Sequence, residues 1–447
     1  MTAIAGIQCA TAQNQVKEML EKMIHRGRDW QYIIEKNGAI LGAAGSSAQK
    51  KPALILSSEL IAQEQVSKNH FAKAKTQQNG IELSRDPLGI SPLYYGKNRE
   101  GALCFASEVK GLLAVTRDIH ELPPGHSLTG MRLKPNKKPA YSKPLRTQAE
   151  NIAKQLRSRI EVSIADRIGD GNVGAWLSGG IDSTAIAAIA RPHVKDFHTF
   201  TAGLNGSQDI YYAHIAAKHI GSIHHTRLVT TGEIIESIPQ VIYHLESFDA
   251  LLVRSSLLNF LVAEMAADYV PAVFSGEGAD ELFAGYSYLH RIPESELQGE
   301  LNNILMRLHN TALQRVDRSA AAHGLVAYLG LLDQGVVDLA LRIPAEYKIR
   351  DGVEKWILRK AVEDLLPKDL LMRKKAKFWQ GGGVQEVIAE YAEKMISDGD
   401  FKRERNLKCG ENLNSKEELM YYRFFHEHFG EFDDLSWMGR TKGAPVS

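Results

Sequence analysis

The stretch Ala175-Trp176-Leu177-Ser178-Gly179-Gly180-Ile181-Asp182-Ser183-Thr184 decides the fold. An apolar run over 173–177 enters a Ser-Gly-Gly turn, and an Ala/Ile-rich segment of helical character follows at once. A strand that feeds a glycine turn and opens a helix is a ready-made anion site. Its amides point outward, the helix dipole adds positive potential, and glycine lets a phosphate approach the backbone. Ser178 and Ser183 add hydroxyl donors, and Asp182 is placed to hold a metal ion on the bound phosphate. No Gly-Lys-Ser/Thr follows the glycines, so this is not the common phosphate loop.

Working outward, Ile152, Leu156, Ile160 and Ile164 recur every four residues and predict an amphipathic helix before the strand. A helix over 183–190, a strand over 197–202, a helix over 210–220 and a strand over 272–274 follow. The last strand ends in Ser275-Gly276-Glu277-Gly278-Ala279-Asp280-Glu281. This alternation predicts an α/β fold, a doubly wound parallel sheet with helices on both faces. Ligands of such sheets bind beyond the carboxyl ends of the strands, where both Ser-Gly motifs lie. Beyond residue 300 the chain reads as mostly helical.

The first 145 residues read as short strands at 3–7, 33–34, 39–44, 53–56, 80–83 and 93–95. Turns such as Asp86-Pro87-Leu88-Gly89 and Leu122-Pro123-Pro124-Gly125 separate them. Residues 131–144, polar and rich in lysine and proline, read as a linker. The expected division is therefore 1–145 and 146–447, within the range for two or three domains of about 150 residues each.

Composition narrows the class. The 447 residues are 44% hydrophobic and 24% charged, with a net charge of +1, so no global field favours nucleic acid or an anionic membrane. Cys9, Cys104 and Cys409 lie far apart and suggest neither a disulfide framework nor a cysteine zinc site. No apolar run approaches the roughly 20 residues of a membrane helix, and the N-terminus lacks the basic start of a signal peptide. A cytoplasmic location is expected, with no membrane and no nucleic-acid partner.

Asp182 and Asp280 each follow a glycine turn after a strand, and two such carboxylates can bracket Mg²⁺ on a triphosphate. The second motif taken alone reads equally as an acidic helix N-terminus favoured by the dipole.

The first loop resembles the pyrophosphate loop of enzymes that cleave ATP between its α and β phosphates. From about 150 to 385 the chain is similar to the synthetase domain of asparagine synthetases and their β-lactam-forming relatives. The matching pieces run in family order: 177–183, Phe200-Thr201-Ala202-Gly203-Leu204 with Ser207 and Asp209, and 275–281 with Phe283-Ala284-Gly285-Tyr286. Glu354-Lys355-Trp356 with Leu358-Arg359, Leu366-Pro367, and Arg373-Lys374-Lys375 with Phe378 complete the set. The resemblance implies an ATP site made of Leu177, Ser178, Gly179, Gly180, Asp182, Ser183, Gly203, Ser275, Gly276 and Glu277, with Mg²⁺ on Asp182 and Asp280. It implies that a substrate carboxylate attacks the α-phosphate, that a nitrogen donor captures the acyl-adenylate, and that Lys375 stabilises transition-state charge. Gly381-Gly382-Gly383 reads as a hinge for a closing loop, or simply as a loop.

One departure concerns the acceptor. Where the family carries Gly-x-Glu-Ala-Arg-x-Pro-Phe-Leu-Asp, Val326 and Tyr328 replace the glutamate and the arginine. Valine neither hydrogen-bonds nor takes a proton. The substrate is then expected to be a carboxylate other than aspartate, or the base to come from elsewhere, with His224, His225, Glu246 and Asp249 as candidates by chemistry alone.

The first half resembles the glutaminase partner of the same enzymes, through Ile4 to Ile7, His25-Arg26-Gly27 with Asp29-Trp30, 84–95, Phe105-Ala106-Ser107-Glu108-Val109-Lys110 and 122–125. The resemblance implies an α+β Ntn-hydrolase-like sandwich. That glutaminase needs an N-terminal cysteine, whose amine is the base and whose thiolate is the nucleophile. Position 2 is Thr2, Cys9 reads as a core residue, and the family's Asn-Gly-Glu-x-Tyr-Asn segment has no counterpart over 37–80. The expectation is an AMP-forming ligase with a degenerate glutaminase. Its rivals are glutamine-dependent asparagine synthesis through Thr2 and a non-catalytic nucleotide-binding homologue, and a homodimer is left open.

Overall fold

A computed structural model describes residues 2–46, 59–63, 69–78, 80–136, 139, 143–169, 171–373 and 384–441. The chain first builds two antiparallel sheets. One has the strand order Trp30–Lys36, Ala39–Gly45, Ala3–Ile7, Leu103–Ala106, Tyr94–Lys97, His120–Glu121. The other runs Arg132–Pro135, His126–Thr129, Gly80–Arg85, Phe71–Gln77, Glu59–Gln63. Alternation explains the layering: Ala72, Ala74, Ile81 and Leu83 from one sheet meet Ile4, Leu41 and Phe105 from the other in a shared core.

The expected strands at 3–7, 33–34, 39–44, 80–83 and 93–95 fall within or beside observed ones, and 53–56 lies outside the described residues. Two expectations are corrected. Residues Arg132–Pro135, taken for linker, form a fully exposed edge strand whose backbone pairs with His126–Thr129, so its polar side chains cost nothing. Cys9 is half-buried at the margin of the core, with its sulfur 3.2 Å from the Thr11 hydroxyl.

The second half is built on a five-stranded parallel sheet ordered Ile223–Val229, His198–Leu204, Gly174–Trp176, Ala272–Phe274, Val326–Tyr328. Helix Ala149–Ile168 carries Ile152, Leu156, Ile160 and Ile164 into the core, all fully buried, as their spacing predicts. Helices Ile181–Ala190, Gln208–Ile220, Thr231–Leu245, Ala250–Ala267 and Ala312–Ala322 connect the strands. The chain starts mid-sheet at Gly174–Trp176, winds outward to Ile223–Val229, then returns to the other side through Ala272–Phe274. Right-handed crossovers wound both ways place helices on opposite faces. They also create a switch point between Gly174–Trp176 and Ala272–Phe274, and open α/β sheets bind ligands beyond the carboxyl ends of the strands at such a point.

Helix Ala250–Ala267 has a mean hydropathy of 1.5 over 18 residues, long and apolar enough to cross a membrane, which corrects the expectation that no segment reaches that length. Of that window 61% is buried within the fold, and its Arg254 pairs with Glu417, so it serves here as a core helix.

Candidate active site

Leu177 closes the first strand by donating its N–H to the Phe200 carbonyl at 2.8 Å. The chain then turns at Gly179, whose φ of +71° favours glycine and where a Cβ would lie 2.4 Å from the Tyr212 carbonyl carbon. The hydroxyls of Ser178 and Ser183 stand 3.2 Å apart across the turn. Ser183 Oγ also accepts from the Ser178 N–H at 3.2 Å, and Ser178 Oγ accepts from the Gly180 N–H at 3.3 Å. Helix Ile181–Ala190 begins there, with Asp182 in its first turn.

The second motif comes alongside. Ser275 donates its N–H to the Tyr328 carbonyl at 3.0 Å, and a Cβ on Gly276 would lie 2.8 Å from the Ser183 nitrogen, so the two loops touch backbone to backbone. Gly203 lies on the neighbouring strand, packed against Ser207. Glu277 is held by the Arg315 guanidinium from helix Ala312–Ala322.

The two carboxylates expected to share a cation share the ammonium of Lys355. Its Nζ lies 2.5 Å from Asp182 Oδ2 and 2.7 Å from Asp280 Oδ1, with the side chain 2% exposed. Burial opposes the charge, yet Asp182 and Asp280 together raise the Lys355 ammonium above its ordinary value. Its backbone is left-handed, with φ of +55°, an uncommon conformation for a side-chain-bearing residue and one concentrated at functional sites. Among the described residues no set of three His, Cys, Asp or Glu converges on a metal position. Two carboxylates from two loops nonetheless match what Mg²⁺ takes from a protein when phosphates and water complete its octahedron.

Sequence reasoning quoted Lys355 within a motif and gave it no role. It also missed Arg315 and the contacts of Arg373, which donates to the Ser178 carbonyl at 2.7 Å and to Asp209 Oδ1 at 2.5 Å. Lys375 and the triplet Gly381-Gly382-Gly383 lie outside the described residues.

Val326 pairs with Ala272 at the amino end of its strand and is buried, whereas Tyr328, opposite Phe274, reaches the carboxyl edge. Parallel register therefore keeps Val326 back from the rim where the loops gather. The alternative bases are engaged elsewhere. His224 hydrogen-bonds Thr199, and burial pushes it down to about 4. His225 stacks on His198 and packs at a tilt against Tyr269. Glu246 accepts from the Val109 and Lys110 amides, and Asp249 caps Ala250–Ala267.

Glu281, next to Asp280, is buried, accepts from the Tyr286 hydroxyl at 2.5 Å, and is pushed up to about 7 by burial and then by Asp280. A folded value above the unfolded 4.5 means the folded chain holds an extra proton between those values, so stability falls as pH rises through that window. Glu281→Gln is expected to flatten this slope. Urea midpoints of variant and wild type across the window check it, and parallel slopes would contradict it.

The asparagine synthase family model matches residues 155–302 and 293–442, and the glutamine amidotransferase domain model matches 69–123. Asparagine synthetase [glutamine-hydrolyzing] 2 of Lotus japonicus is 33% identical over 386 residues, covering 80% of this chain and 65% of that protein. Asparagine synthetase B [glutamine-hydrolyzing] of Escherichia coli K12 is 32% identical over 385 residues, covering 80% and 69%. Among solved structures, NMN synthetase from Francisella tularensis aligns with a TM-score of 0.31 at 14% identity, over 64% of this chain and 98% of that one. The fold and the paired loops define an α/β protein of the type that carries a strand–Ser-Gly-Gly–helix turn at the switch point of a parallel sheet. This chain belongs to the asparagine synthase family. It spans 65% of the length of the plant relatives it matches.

Proposed function

We propose that this chain is an ATP-dependent, AMP-forming amide ligase of the asparagine synthetase type, divided near residue 145 into a degenerate glutaminase-like part and an adenylating part. The observation that carries this reading is the meeting of the 178–183 and 275–280 loops at the switch point, with Asp182 and Asp280 drawn to one position. The Ser178–Ser183 turn would hold the β and γ phosphates through its amides and hydroxyls. Leu177, Gly203, Ser275 and Gly276 would flank the nucleotide, with Glu277 beside them. Asp182 and Asp280 would hold Mg²⁺, which when bound neutralises charge on the departing pyrophosphate.

The substrate carboxylate oxygen would then bond to the α-phosphorus as the bond to pyrophosphate breaks. A nitrogen nucleophile would attack the resulting acyl carbon, AMP would leave, and the amide would form. Lys375 would place its ammonium against the charge that develops on phosphate and acyl oxygens.

Thr2 supports an inactive glutaminase. A threonine hydroxyl is far less acidic than a thiol, and the amidotransferase match spans only 69–123. Nitrogen would then come from ammonia or an amine.

The test is a pyrophosphate-release screen across a carboxylate library, with and without ammonia. AMP and pyrophosphate in equal amounts are expected with at least one carboxylate, falling about 10²–10³-fold in Lys375→Ala. ATP binding without release for every carboxylate would favour a non-catalytic nucleotide-binding protein. Glutamine hydrolysis that disappears in Thr2→Ala would overturn the inactive-glutaminase part and favour glutamine-dependent asparagine synthesis.

A further inference from the structure

The guanidinium of Arg373 joins two elements at the foot of the Ser178–Ser183 turn. It is buried, 6% exposed, and bridges the Ser178 carbonyl at 2.7 Å and Asp209 Oδ1 at 2.5 Å. Asp209 belongs to the first turn of helix Gln208–Ile220. The guanidinium carbon also lies 4.2 Å from the ring centroid of Tyr212, one turn further along that helix. A planar fork with two fixed donors sets the direction of both bonds at once, which a lysine cannot do.

The direction matters because of the peptide that is held. A trans peptide carries its C=O and N–H on opposite edges. With the Ser178 carbonyl drawn toward Arg373, the Gly179 N–H is turned to the other side of the same plane. Glycine, with no Cβ, offers little resistance to rotation of that unit, so the orientation needs an external hold.

The geometry points to Arg373 as a positioning residue that, braced by Asp209, clamps the Ser178–Gly179 peptide so that the Gly179 N–H faces the terminal phosphates of a bound triphosphate. This inference rests on the ATP reading above. Without the clamp the Gly179 peptide samples both orientations, and one hydrogen bond to a charged oxygen is lost for much of the time.

Calorimetric titration with inorganic pyrophosphate and with ATP tests it. Arg373→Ala is expected to weaken both about ten-fold, the worth of one charge-assisted hydrogen bond. In turnover assays KM for ATP should rise while kcat holds. Because that variant leaves Asp209 buried beside no cation, Arg373→Lys and Arg373→Gln are measured alongside, with Tm as the check on folding. Lysine neutralises Asp209 but reaches only one partner, so it should restore Tm fully and affinity only in part. Variants that keep the wild-type Tm and bind pyrophosphate as tightly as the wild type overturn the clamp alone. A wild-type chain that binds neither ATP nor pyrophosphate overturns the ATP reading and the clamp with it.

Discussion

Lys355→Met is expected to cost about 3–5 kcal/mol of stability and to abolish pyrophosphate release, because it removes the buried ammonium that lies between the Asp182 and Asp280 carboxylates. The ammonium joins two loops that also meet backbone to backbone at Gly276. Methionine keeps the length and apolar stem of lysine, so the loss isolates the charge. Added Mg²⁺ should recover more stability in the variant than in the wild type, since a divalent cation suits the same pair of oxygens. Urea titrations with and without Mg²⁺ read this independently of turnover. Gly285→Ala makes the companion case. A Cβ there would lie 2.0 Å from both Lys355 Cε and Asp280 Oδ1, so it should break the same bridge without replacing any charged residue. An unchanged urea midpoint in Lys355→Met would show that the ammonium is not what holds the carboxylates together.

That lysine also marks the limit of what the sequence discloses. The strand–turn–helix at 174–190 is local, and its glycines, flanking apolar runs and hydroxyls stand side by side in the chain. The parallel sheet and both Ser-Gly loops were therefore legible. Lys355 meets Asp182 across 173 residues, and no spacing rule links one lysine to a carboxylate that far away. Arg373 and Ser178, 195 residues apart, are the same case. The antiparallel half was read less completely because its signal is weak. Phe71–Gln77 does alternate, but its inward residues are Ala72, Ala74 and Thr76, too small to stand out against its lysines. Leu103–Ala106 is a four-residue run buried on both faces, with no period to read. Motif alignment sets Val326 at the position of the family glutamate. Only the register of its strand shows that it enters the sheet at the far end.

The other large effect is expected at Glu108, where the two halves of the chain are locked by charge. Its carboxylate is fully buried and meets Arg26 at 2.6 Å, Lys110 at 2.6 Å, Arg318 at 2.8 Å and His25 at 3.0 Å. Arg318 reaches on to Glu246 at 3.0 Å, and Arg26 grips Asp317 with both of its terminal nitrogens at 2.8 Å. The arginines Arg26 and Arg318 with Lys110 thus balance Glu108, Glu246 and Asp317. His25, whose value burial lowers, contributes mainly as a neutral donor. Removing the central anion leaves three buried cations against two carboxylates. Glu108→Ala is therefore expected to cost about 3–5 kcal/mol, more than any surface pair could. Because Arg26 and Lys110 come from the first half and Asp317 and Arg318 from the second, the loss should also uncouple them, splitting one calorimetric transition into two. Burial alone would raise the Glu108 carboxyl, yet the surrounding cations hold it well below its ordinary 4.5. With the folded value depressed, its contribution is complete above about 4.5 and is lost as pH falls toward the folded value. Wild-type stability should therefore drop more steeply below that point than that of Glu108→Gln. A single transition in Glu108→Ala with a near wild-type midpoint would mean that packing, rather than this network, joins the halves.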